Sequence, residues 1–60
     1  MINLNKVKAL IKDEEMASKE YYHLAMIDKD PRIKQILMSM SSDEKRHHVF
    51  WVGYYRNNAK

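Results

Sequence analysis

The sequence has no cysteine, which removes disulfides, thiolate metal sites and cysteine nucleophiles together. It has one glycine and one proline, so almost nothing in it breaks a helix. No run of about 18 apolar residues occurs, and a membrane span is not expected. The opening stretch MINLNKVKALIKDEE lacks an apolar core followed by a small-residue cleavage site. A secretory signal is therefore not expected, and a cytoplasmic location is. Charge of one sign is not strongly in excess: eleven basic residues face eight acidic ones, for a net charge of +3 and a pI near 9.3. That balance permits contact with acidic surfaces, but the excess is modest and scattered, and neither nucleic acid nor membrane is expected as a partner.

The chain is 60 residues long, which allows one domain, 1–60. Chains near this size bury only about 60% of the surface their unfolded form exposes, so the margin of stability is thin. Disulfides, a metal or association usually make up the difference. With cysteine absent, a metal or a second chain is left.

The strongest punctuation is DKDP, residues 28–31. Asp30 before Pro31 reads as an N-cap with proline at the first helical position. The residue before a proline is also pushed out of helical geometry, which ends the preceding helix near Asp28. The expected architecture is all-α: a helix over about 4–27 capped by Asn3 or Asn5, a turn at 28–30, and a helix over about 31–55. Gly53 is expected to fray the end, leaving 56–60 as a solvated tail.

Periodicity then isolates three residues. On the first helix an apolar stripe runs Val7, Leu10, Ala17, Tyr21, Leu24, and the position it skips holds Glu14. On the second it runs Ile33, Leu37, Met40, Trp51, Tyr54, and the two skipped positions hold Glu44 and His47. Polar residues thus stand where a seam of heptad spacing demands apolar ones. Glu14 and Glu44 each lie 15 residues from Lys29. At 1.5 Å rise per residue both sit about 22 Å up an antiparallel hairpin, at one level. His47 lies three residues beyond Glu44, on the same face. Buried carboxylates are costly unless paired or bound to a cation. Carboxylates with an imidazole and no sulfur suit iron or manganese, and zinc is acceptable. One hairpin supplies too few ligands for a closed site. Two hairpins supply four carboxylates and two histidines, the inventory of di-iron carboxylate bundles.

Other residues fit less well. His48 points about 100° away from His47, toward the outside of such a site or solvent, and His23 falls off the stripe. Glu15, Glu20 and Asp43 flank the seam as solvated groups or as outer carboxylates guiding a cation. The five methionines read as core filler. Tyr21, two turns from Glu14 on the same face, is either an aromatic core residue or a hydroxyl that hydrogen-bonds a ligand.

The segments EEMASKEYYHLA, 14–25, and DPRIKQILMSMSSDEKRHH, 30–48, resemble the ferritin-like di-iron carboxylate superfamily, in particular its rubrerythrin-like and encapsulated-ferritin members. Glu14, Ala17 and Tyr21 match that family's first ligand helix, and Glu44 and His47 its Glu-x-x-His helix. The resemblance covers about 12–55 and implies metal ligands Glu14, Glu44 and His47, with Glu44 bridging and Tyr21 orienting a ligand or tuning the redox step. It also implies two iron ions per homodimer or higher homo-oligomer, with manganese or zinc as substitutes. The implied fold is a two-helix subunit that dimerises into a four-helix bundle, and the implied activity is that of a ferroxidase in iron storage and detoxification. An encapsulin shell is the further partner and compartment it suggests, although the docking peptide of such relatives is not evident in RNNAK. Three other readings stay open. One is a non-enzymatic hairpin for oligomerisation or protein binding. Another is rubrerythrin-like peroxide reduction, for which an electron-delivering cysteine centre is missing. The third and weakest is a basic hairpin that binds nucleic acid.

Overall fold

A computed structural model describes residues 2–59. Two helices form an antiparallel hairpin: α1, Leu4–Ile27, and α2, Pro31–Asn58. The molecule is a rod of 46 × 13 × 13 Å.

Local chemistry sets each boundary. The Asn3 side chain accepts a hydrogen bond from the Asn5 amide at 2.8 Å, and its carbonyl accepts from Lys6 and Val7. Asparagine thereby satisfies amides that a starting helix leaves free. At the turn Asp28 leaves helical geometry with ψ 140°, while its amide still donates to the Leu24 carbonyl. Its carboxylate accepts from the Asp30 amide at 2.8 Å, and Asp30 in turn caps α2 by accepting from Arg32 at 2.9 Å. Pro31 opens α2 where its missing N–H costs nothing.

The far end departs from the sequence expectation. Helix α2 runs to Asn58, three residues past Tyr55 and straight through Gly53. Gly53 keeps helical backbone, without a positive φ. Asn58 donates to the Tyr54 carbonyl at 2.8 Å and is half-buried, and Ala59 donates to Tyr55. Arg56 places a cation in the last turn, where the helix dipole favours it. One glycine costs a helix only about 1 kcal/mol. These end contacts account for the longer helix.

The two helices meet on a seam of small residues. Val7, Ser18, Ala25 and Ser41 are the buried positions, all at 4% exposure or less. Ser18 donates to the Ser41 carbonyl at 3.1 Å, and Ser41 donates to the Ser18 carbonyl at 2.9 Å. Side chains this short let the backbones come close, and each satisfies its own hydroxyl on the opposite helix. His48 adds a second tie, its Nδ1 donating to the Ile11 carbonyl at 3.0 Å. The histidine expected at the outside of the site or in solvent is instead half-buried against α1.

The periodic stripe lies to one side of this seam. Leu10, Ala17, Tyr21, Leu37, Trp51 and Tyr54 are only half-buried, while Leu24, Ile33 and Met40 are exposed. They form an open front face along both helices. Trp51 and Tyr54 pack edge to face on it at 5.7 Å, and the Tyr54 hydroxyl accepts from the Ile2 amide at 3.1 Å. Among the described residues only Val7 and Ala25 are buried apolar residues, and many large apolar side chains stay exposed.

The seam predicts a graded response at Ser41. Ser41→Ala removes hydrogen bonding worth about 1 kcal/mol. Ser41→Leu overpacks the closest approach and costs about 1–3 kcal/mol. Urea denaturation of the two variants should rank them in that order. Equal stability of Ser41→Leu and the parent chain would show that the seam is not closely packed.

Candidate metal centre

The same register brings the three polar interruptions together. Two cross-helix pairs, Ser18–Ser41 and Ile11–His48, have position numbers that add to the same value, as an antiparallel register requires. Glu14 of α1 and Glu44 and His47 of α2 belong to that register. Each of the three offers one ligand atom, and these atoms all lie within 4.8 Å of one another. His47 Nδ1 stands 3.4 Å from Glu14 Oε2 and 4.0 Å from Glu44 Oε1.

Burial is graded across the trio. The Glu14 side chain is 18% exposed, Glu44 23% and His47 57%. The carboxylates sink toward the seam, and the imidazole sits at its mouth on the front face. Glu14 Oε2 is buried and has no hydrogen-bond partner. It lies near the His47 ring nitrogen, yet the two do not meet in hydrogen-bonding geometry. A desolvated carboxylate oxygen without a donor costs about 1–3 kcal/mol or more.

A cation would remove that cost. Ligands held at about 2.1 Å from one ion, at angles between square and tetrahedral, stand about 3.0–3.4 Å apart. The Glu14–His47 separation falls at that spacing, and the Glu44 oxygen stands somewhat wider, 4.0 Å from the same ring nitrogen. Three protein ligands from one chain leave coordination positions open toward the front face, as sites that perform chemistry do. The donor set is hard oxygen with one imidazole, which fits iron or manganese and accepts zinc.

The remaining sequence candidates lie elsewhere. Tyr21 is half-buried on the front face, and its hydroxyl does not reach the orphaned Glu14 oxygen. Glu15 pairs with Lys19 at 3.3 Å, and Asp43 pairs with Arg46. Glu15 points away from the trio, so it does not lead a cation inward. His23 and Glu20 are exposed. The seam serines and the tie through His48 are what the sequence reading missed. The signal existed: positions 7, 11, 14, 18 and 25 repeat at helical spacing as regularly as the larger stripe does.

Compared with known proteins, the chain matches no family model, no curated protein and no solved structure.

The orphaned carboxylate yields a prediction about stability without metal. Glu14→Leu replaces a half-buried acid that has one unpartnered oxygen with an apolar side chain of similar size. It should raise the melting temperature of metal-free protein, by about 1 kcal/mol of stability, while removing any stabilisation by added metal. Differential scanning calorimetry with and without Mn²⁺ measures both effects. A metal-free melting temperature that falls would mean that Glu14 is well accommodated as it stands.

Proposed function

We propose that the chain is one half of a di-iron oxidoreductase of the ferritin-like kind, with ferrous ion as its substrate. The observation that carries this reading is the convergence of Glu14, Glu44 and His47 around a buried carboxylate oxygen with no partner. A second copy packed on the front face would add a second trio. It would give four carboxylates and two imidazoles, the ligand set of a two-ion carboxylate site.

In this reading the residues have distinct tasks. Glu14 would hold an ion from the seam side. Glu44, one turn before His47, would be the carboxylate shared between the two halves. His47 would supply the nitrogen ligand, and its exposure in the single hairpin would be removed when the partner covers it. Each ferrous ion gives up one electron, and dioxygen takes two electrons and two protons to become hydrogen peroxide. Carboxylate oxygens favour the ferric product because they are hard, charged donors. Leu10, Ala17, Met40 and Trp51 surround the trio on the front face and would exclude water once two faces meet. Tyr21 lies on that face seven residues from Glu14 and would be brought near the ligands only by the pairing.

Two measurements test the proposal. Aerobic addition of Fe²⁺ should produce a ferric absorbance that saturates near about one iron per chain, and Glu44→Ala should abolish it. Mn²⁺ or Zn²⁺ at about 100 times its Kd should stabilise the fold by about 2.7 kcal/mol without oxidation. Unchanged oxidation in Glu44→Ala would remove the assignment. Replacing dioxygen by hydrogen peroxide in the same assay separates oxidase from peroxide-reducing activity.

The pairing itself is tested by sedimentation. The parent chain should sediment as a dimer or larger, and Met40→Glu, which buries a charge at the front face, should yield monomers. A parent chain that is monomeric with and without metal would refute the two-copy site.

A further inference from the structure

The face opposite the carboxylates has a different character. With the seam at Val7, Ser18, Ala25 and Ser41, the rotation of about 100° per residue assigns every other position to a side. The back of α1 carries Lys8, Lys12, Lys19, Tyr22 and Met26. The back of α2 carries Lys34, Met38, Lys45, Val49 and Arg56. All ten are exposed except where Lys8 lies over the Tyr55 ring, 5.6 Å from its centroid. Glu15 is the one acidic residue on this side, and it is bonded to Lys19. Among the described residues, six basic residues and one acidic one thus lie here. The back face has a net charge of five positive, while the rest of the sequence has a net charge of two negative.

Between the two lysine rows the helices leave a groove. Glu15, Ser18, Lys19, Lys45 and His48 line it, and it continues past Tyr22 toward the turn. Lys19 and Lys45, from opposite helices, flank the same stretch. Tyr22 lines the groove itself, and Met26, Met38 and Val49 stand outside it on the same face, all four more than 40% exposed.

We propose that this back face docks an acidic amphipathic helix of a protein partner. The charge complements carboxylates, and the interspersed apolar residues give such a helix something to bury. A helix laid in the groove would place its apolar stripe against Tyr22, Met38 and Val49, with flanking glutamates against the lysine rows. A phosphate backbone would use the lysines alone and leave the apolar residues wet. The inference depends on the hairpin and not on the metal reading, and it leaves the front face free for pairing.

The test uses the full chain, isotopically labelled, and a synthetic 20-residue helix of leucine and glutamate. The same helix with lysine for glutamate and a 20-base-pair DNA duplex are the controls. The glutamate helix should shift backbone resonances along Lys12, Lys19, Tyr22, Lys45 and Val49, and binding should weaken as salt rises. Lys19→Glu with Lys45→Glu should weaken it by about tenfold or more, and Met38→Ser with Val49→Ser should also weaken it. The lysine helix should not bind. Shifts confined to the front face, no binding at all, or charge-only binding untouched by Met38→Ser with Val49→Ser would each overturn the proposal. Tighter binding of the DNA duplex than of the glutamate helix would overturn it too, in favour of a nucleic-acid surface.

Discussion

Two serine hydroxyls, each bonded to a carbonyl of the other helix, fix how closely α1 and α2 approach and in what register. The rest of the hairpin depends on that contact. A larger residue at 18 or 41 would hold the backbones apart, and a slip of one residue would move Glu14 about 100° or 1.5 Å away from Glu44 and His47. The His48 tie to Ile11 locks the same register one level farther from the turn. The capping aspartates work at the other end: Asp28 and Asp30 satisfy two backbone amides, those of Asp30 and Arg32, with their own side chains. A short turn and a polar clasp together align two helices that share almost no fully buried apolar contact.

That arrangement explains why the hairpin leaves so much unfinished. A seam built on serine and alanine gives geometry but little hydrophobic stabilisation, since small side chains remove little apolar area from water. The large apolar residues sit on the front face, around the very level where the polar trio stands. In the proposed dimer one association would bury the front face, cover His47 and complete the ligand set. The chain would then be stabilised by the same event that makes it able to bind two ions.

Much of this was legible in the sequence. The Asp-Pro turn and the helix-forming composition predict two helices, and level counting from Lys29 predicts that Glu14, Glu44 and His47 meet. The seam was not legible, because hydrophobicity is the signal that periodicity reads and the true contact is made by residues with little of it. The stripe through Leu10, Tyr21, Leu24, Ile33 and Met40 is real but faces outward. The end of α2 was misread for a related reason. Gly53 lowers helix propensity locally, whereas Arg56 and the Asn58 side chain support the last turn through interactions a propensity scale does not contain. His48 shows the limit of reasoning by angle alone. Turning about 100° from His47 carries it not into water but onto the opposite helix, where a carbonyl accepts its proton.

The trio carries one more consequence for how the molecule divides its surface. Carboxylates held near a seam are stabilised by positive potential, and beyond the His47 ring beside them the chain's main source of it is the lysine rows. Those rows lie on the far side of the helices, and Lys19 there is paired with Glu15. An amine beside Glu14 would satisfy its free oxygen and compete with any cation for it. The chain instead keeps its amines behind and leaves the carboxylate unmatched in front. Segregating charge in this way costs stability in the isolated hairpin, and it leaves the buried Glu14 oxygen without a hydrogen-bond partner.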